Sequence, residues 1–192
     1  VVSASVARHF LGANPSFNTA LPHITMEGSI LPVCIVLGIL AGVLGVLFSK
    51  TIFFFNGVYS KIRVPNYLKP ALAGFLTGLA GLFLPYILSS GNGSVEMLFK
   101  GELPIVLVCT IFCVKFIITP LCFGSGAAGG IFLPMLMLGS FLGYITGFGA
   151  NLLGAEVNLV AISSLGMAGF LASVSRTPLT AVVMGFEMTG GD

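Results

Sequence analysis

Cys122-Phe-Gly-Ser-Gly-Ala-Ala-Gly-Gly-Ile-Phe-Leu-Pro134 interrupts the longest charge-free run of the chain, the 40 residues between Lys115 and Glu156. That run is too long for one straight pass through about 30 Å of hydrocarbon. Glycines at 124, 126, 129 and 130 allow a tight turn and leave the backbone amides uncovered. Directly afterwards the residues become Ile, Phe, Leu, Pro, Met, Leu, Met, Leu, which suit a helix. Pro134 fits the first turn, where its missing N–H breaks no helical bond. The stretch therefore predicts an apolar segment, an unwound glycine-rich turn and a helix starting near Gly130. A helix start inside a membrane carries unpartnered N–H groups and the positive end of the dipole. Two readings follow from these residues alone. An anion satisfies the amides, or the glycines form a plain kink between packed helices.

Composition sets the surroundings. Hydrophobic residues make up 56% of the chain and charged residues 7%, far below the roughly 25% charged residues of a soluble domain. The mean hydropathy of +1.09 places the chain in a lipid bilayer as an integral, multi-pass protein. A net charge of +2 with no basic cluster excludes nucleic acid as a partner. Cys34, Cys109, Cys113 and Cys122 lie in apolar surroundings and read as buried side chains. His9 and His23 are isolated. No metal site is expected. No His, Asp or Glu cluster falls within the apolar spans, so no catalytic residues are expected and the chain is not read as an enzyme.

Read in order, Val1 to Gly12 is the tail of a helix and residues 13–29 are a loop. Both ends of the chain look like cuts through a larger protein. A membrane helix over 30–55 is predicted to stop near Asn56-Gly57. Lys61, Arg63 and Lys69 then form a cationic loop expected on the cytoplasmic side. A second span runs from Pro70 to Ile87, and a short amphipathic piece from Val95 to Lys100. A third helix covers Leu103 to Thr119, with Pro120 releasing the chain into the glycine turn. Helices are further predicted over 130–150, 158–173 and 177–189. Two groups need accommodation. Lys115 either snorkels to the membrane surface or raises the positive potential near the glycine motif. Glu187 lies against the dipole preference at its helix end and wants a partner. Five to seven helical segments and no sheet are expected, because an open sheet edge has no place in lipid.

Three blocks carry a family resemblance. They are Gly124-Ser-Gly-Ala-Ala-Gly-Gly-Ile-Phe-Leu-Pro134, Gly166-Met-Ala-Gly-Phe-Leu-Ala172, and Ser175-Arg-Thr-Pro-Leu-Thr-Ala-Val-Val-Met-Gly-Phe-Glu-Met-Thr189. In order and spacing they resemble the second half of the CLC family of chloride channels and chloride/proton antiporters. The family's Gly-x-Phe-x-Pro element reads Gly130-Ile-Phe-Leu-Pro134 here. The resemblance implies an all-α integral membrane fold of tilted, broken and reentrant helices. It implies that residues 1–192 are a partial transmembrane domain, in the cell membrane, of a homodimeric protein. It implies chloride as the transported ligand, with no cofactor, held by backbone amides at Gly130, Ile131 and Phe132 and no fixed cation. Ser125, Gly126, Gly129, Leu133 and Pro134 would support the pore. The family's first-half elements, Gly-Ser-Gly-Ile-Pro and Gly-(Lys or Arg)-Glu-Gly-Pro, do not occur in these residues. Overall likeness favours a chloride/proton antiporter. A passive voltage-gated-type chloride channel and a non-transporting structural membrane protein are the alternatives.

Overall fold

The computed structural model of the protein describes residues 30–63, 65, 67–88, 92–127 and 129–189. The predicted helix tail at 1–12, the loop at 13–29, His9 and His23 lie outside these residues, as does the side chain of Glu187. Among the described residues seven helices follow one another: α1 (Ile30–Lys61), α2 (Leu68–Phe83), α3 (Asn92–Phe99), α4 (Ile105–Gly124), α5 (Phe132–Leu152), α6 (Leu159–Ser175) and α7 (Pro178–Thr189). A single 3-10 turn, Pro85–Ile87, sits between α2 and α3. No strand occurs among the described residues, as the absence of water to satisfy a sheet edge requires. Among the described residues three helices, α1, α4 and α5, are long and apolar enough to cross a membrane. At 1.5 Å per residue the 32 residues of α1 span about 48 Å, so this helix tilts or projects beyond the hydrocarbon.

The core forms around α5, every residue of which is buried from Met135 to Gly143. Its main neighbour is α6, and α1 and α4 pack against it from other sides. The α5–α6 approach depends on missing side chains. A Cβ on Gly139 would lie 2.7 Å from the Cα of Met167, and one on Gly143 would lie 2.7 Å from the Cα of Ser163. Phe48 ties three helices together, meeting Phe116 of α4 and Phe170 of α6 edge to face at 5.4 and 5.7 Å. Such pairs contribute about 0.5–1.5 kcal/mol beyond their buried area.

Helix ends differ from the sequence expectations in several places; α2 closes at Phe83 rather than Ile87, ahead of the 3-10 turn. α1 does not stop at Asn56-Gly57 but continues to Lys61. Tyr59 is buried and anchors the added turn, while Ser60 Oγ donates to the Gly57 carbonyl at 2.8 Å. That packing outweighs a glycine penalty of about 1 kcal/mol. α4 does not end at Thr119 but runs through a buried Pro120 to Gly124. Proline removes one amide donor, which a helix held on several sides tolerates. The true stop is one turn later. Gly126 adopts φ +82°, and Ser125 Oγ donates to the Cys122 carbonyl at 2.6 Å. α5 starts at Phe132, two residues beyond the predicted Gly130, with Ile131 as its N-cap.

The start of α6 is built differently. Asn158 Oδ1 accepts from the N–H groups of Val160 and Ala161 at 2.9 and 3.2 Å. Asn158→Ala is expected to lower stability by about 1 kcal/mol. Thermal unfolding of the full-length protein in detergent checks this; an unchanged midpoint would show that the cap contributes nothing.

Candidate functional site

The N-terminus of α5 has no side-chain cap. The first helical hydrogen bond of this turn runs from Met135 N–H to the Ile131 carbonyl at 3.0 Å. Pro134 has no N–H to give. The N–H groups of Phe132 and Leu133 fall in the first turn, where a helix offers its own amides no acceptor. The contrast with α6 is chemical. α6 meets its first amides with its own Asn158, whereas α5 is preceded by glycines and an isoleucine that carry no acceptor side chain.

Beside this start lies a cavity of about 190 Å³. Gly129, Gly130, Ile131 and Pro134 line one side of it. Lys115, Ile118, Thr119, Cys122 and Phe123 of α4, with Thr77 of α2, Ala127, Ile87 and Leu88, complete the lining. A water molecule takes about 30 Å³ of liquid volume, so an ion with accompanying water fits. The α4 residues meet the cavity because 115, 119 and 122 fall on one face at spacings of four and three. Thr77 Oγ1 is 2.9 Å from Cys122 Sγ and donates to the Ala73 carbonyl at 2.9 Å. The cavity therefore brings Thr77, Thr119, Cys122 and Lys115 beside the residues that lead into α5.

The eight residues picked out in the sequence separate into groups. Gly129, Gly130, Ile131 and Pro134 come together at the cavity wall. Phe132 and Leu133 are half-buried and pack against the hydrophobic core, and neither side chain contributes to the lining. Ser125 is buried and turned back onto α4 through its bond to Cys122. Gly126 forms the bend that ends α4, where its positive φ is a conformation that an L side chain adopts only with strain.

Lys115 corrects one expectation. It does not snorkel: only 6% of it is exposed, and Nζ donates to the carbonyl of Ile87 at 2.7 Å. Lys115 is among the residues lining the same cavity as Gly130 and Ile131. Thr77, Thr119 and Cys122 were not read as site residues from the sequence. The signal for the last two was present in the i, i+4, i+7 spacing from Lys115. No group of three or more His, Cys, Asp or Glu side chains able to hold a metal occurs among the described residues.

Residues 1–192 match the sequence profile of the family described as "Voltage gated chloride channel". An H(+)/Cl(−) exchange transporter, ClcA of Vibrio campbellii, is 35% identical over 163 residues, covering 81% of this chain and 34% of that protein. The chloride channel protein CLC-f of Arabidopsis thaliana is 32% identical, over 98% of this chain and 26% of its own length. The crystal structure of a slow cyanobacterial Cl−/H+ antiporter superposes with a TM-score of 0.78 at 28% identity, covering 91% of this chain and 41% of that one. The chain thus spans between about a quarter and two-fifths of the length of these relatives. With every residue inside the family profile, the chain belongs to the voltage-gated chloride channel family.

Proposed function

We propose that this chain is part of the second half of a transmembrane domain that passes chloride across a membrane in exchange for protons. The anion is held at the start of α5 by backbone N–H groups of Gly130, Ile131 and Phe132. The observation that carries this reading is the uncapped α5 N-terminus beside a cavity. Helix starts without their own acceptor favour anions through aligned dipoles and free donors. Ser125 and Gly126 set the end of α4, and Gly129, Leu133 and Pro134 set the approach and first turn of α5. In this reading the intact protein is a homodimer in the cell membrane. The proton-coupled form is preferred because the ClcA relatives and the cyanobacterial structure are described as exchangers. The Arabidopsis relative, described as a channel, favours passive conduction as the second reading.

Reconstitution of the full-length protein in liposomes tests both. Chloride efflux accompanied by proton movement in the opposite direction is expected. Chloride efflux with no proton movement would select the passive channel. No halide flux under either an anion gradient or an imposed voltage would overturn both readings.

A further inference from the structure

We propose that the groove between the end of α1 and the start of α2 binds an anionic phospholipid of the surrounding bilayer, its acyl chain against the apolar lining and its phosphate beside Lys61 and Arg63.

The groove has a volume of about 280 Å³ and is lined by Tyr59 and Ile62 at the end of α1 and by Leu68, Lys69, Ala71 and Leu72 of α2. Five of these six residues are apolar or aromatic. The groove stays open because α1 and α2 do not pack closely on each other, and Leu68 and Leu72 are 45% and 47% exposed. Exposed leucines gathered in one groove favour an apolar occupant. Inside a bilayer the acyl chain of a lipid supplies it. The groove shares no residue with the cavity beside α5, so it stands apart from the chloride reading.

Charge selects which lipid. Lys61 and Arg63 are exposed and flank Ile62 in the chain, one residue to either side. Consecutive Cα atoms are about 3.8 Å apart, so both cations spring from the rim of the groove, and their long apolar stems follow such a surface. Lys69 lines the groove but has a contact of its own, so the outward positive charge is that of Lys61 and Arg63. No Asp or Glu occurs between Glu27 and Glu96, so this stretch offers the two cations no carboxylate. Tyr67, 77% exposed, is of the aromatic type that sits at headgroup level, and a short cationic loop marks the cytoplasmic side. The lipids of that leaflet are partly anionic, and basic pockets between membrane helices on that side take their headgroups. A neutral lipid fills the apolar part equally well; only an anionic one also meets the two cations.

Native mass spectrometry of the detergent-purified full-length protein, titrated with dioleoyl phosphatidylglycerol or dioleoyl phosphatidylcholine, tests this. The parent is expected to retain the anionic lipid about tenfold more strongly. Lys61→Gln combined with Arg63→Gln is expected to abolish that preference. Lys50→Gln, at an exposed lysine of the same helix about three turns earlier, is expected to keep it within about twofold. Ala71→Phe fills the groove without changing a charge, at an exposed position, and is expected to weaken retention of the anionic lipid about tenfold through the lost acyl contact. Ala71→Leu replaces it should the ring prevent folding. No preference in the parent, or a preference that survives in the double variant, would overturn the proposal. A preference lost with the charges but untouched by filling the groove would reduce it to diffuse surface attraction and overturn the groove. Inorganic phosphate that raises the parent's unfolding midpoint as much as phosphatidylglycerol does would assign a free anion and refute the lipid.

Discussion

Gly166→Val is expected to separate α5 from α6 and to destabilise the fold severely. A Cβ at position 166 would lie 2.9 Å from both the Cα and the N of Gly143 and would also meet the Gly139 carbonyl. These are backbone atoms on a helix buried all round, so no side chain can rotate aside. Overpacking a well-filled core costs about 1–3 kcal/mol and occasionally more. Here the two helix axes must move apart, which places the change at or above the top of that range. The matched control is Gly169→Ala, three residues along the same helix. Its Cβ would meet only the Cβ of Ala41 at 3.7 Å, an ordinary contact, and alanine improves helix propensity by about 1 kcal/mol. Thermal unfolding and gel filtration of the full-length protein in detergent are expected to show Gly166→Val aggregated or strongly destabilised and Gly169→Ala at or above the parent midpoint. Equal midpoints for the two variants would rule out the close α5–α6 approach.

Gly130→Val is expected to do the opposite, leaving the fold intact and removing the anion. Among the described residues, nothing but its own chain neighbours lies within 4 Å of a Cβ built at Gly130, so the substitution meets no tertiary neighbour there. Its stability is expected to stay within about 0.5 kcal/mol of the parent, as for an open surface site. Yet Gly130 lines the cavity, and a branched side chain there crowds the approach to the α5 amides. Chloride binding and flux are expected to fall at least about tenfold, or 1.4 kcal/mol. Phe132→Ala probes the same site from behind. The ring is half-buried against the core, so its loss leaves the amide donors in place but loosens their aim. Discrimination between chloride and larger anions is expected to drop more than chloride flux does. Anion flux from liposomes checks both variants. A Gly130→Val protein that is folded and transports like the parent would remove the α5 start from the anion path.

Membrane residence, the all-helical architecture and the break at 122–134 were legible in the sequence. The reasons are local or compositional. A chain this apolar must satisfy its backbone within helices, and closely spaced glycines before an apolar run with proline in its first turn mark a broken helix. Helix ends were less legible, because apparent stop signals are weak beside tertiary packing. Asn56-Gly57 reads as a terminator, but burial of Tyr59 carries α1 past it. Pro120 reads as a break, but α4 continues because its flanks are packed, and the stop moves to Gly126.

The sequence by itself determined which residues begin α5, to within two positions, and that their amides have no acceptor from their own turn. It could not rank glycines that look alike in the same motif. Gly166 and Gly169 differ only in what faces them, a helix backbone at 2.9 Å in one case and a methyl group at 3.7 Å in the other. Nor could it place Lys115. Lysine's long stem permits either the surface or the interior, and the choice is made by a carbonyl 28 residues away, on a 3-10 turn that folds back against α4. That contact joins segments distant in the chain, so only the tertiary structure brings Lys115 into the lining of the cavity that Gly130 and Ile131 also line.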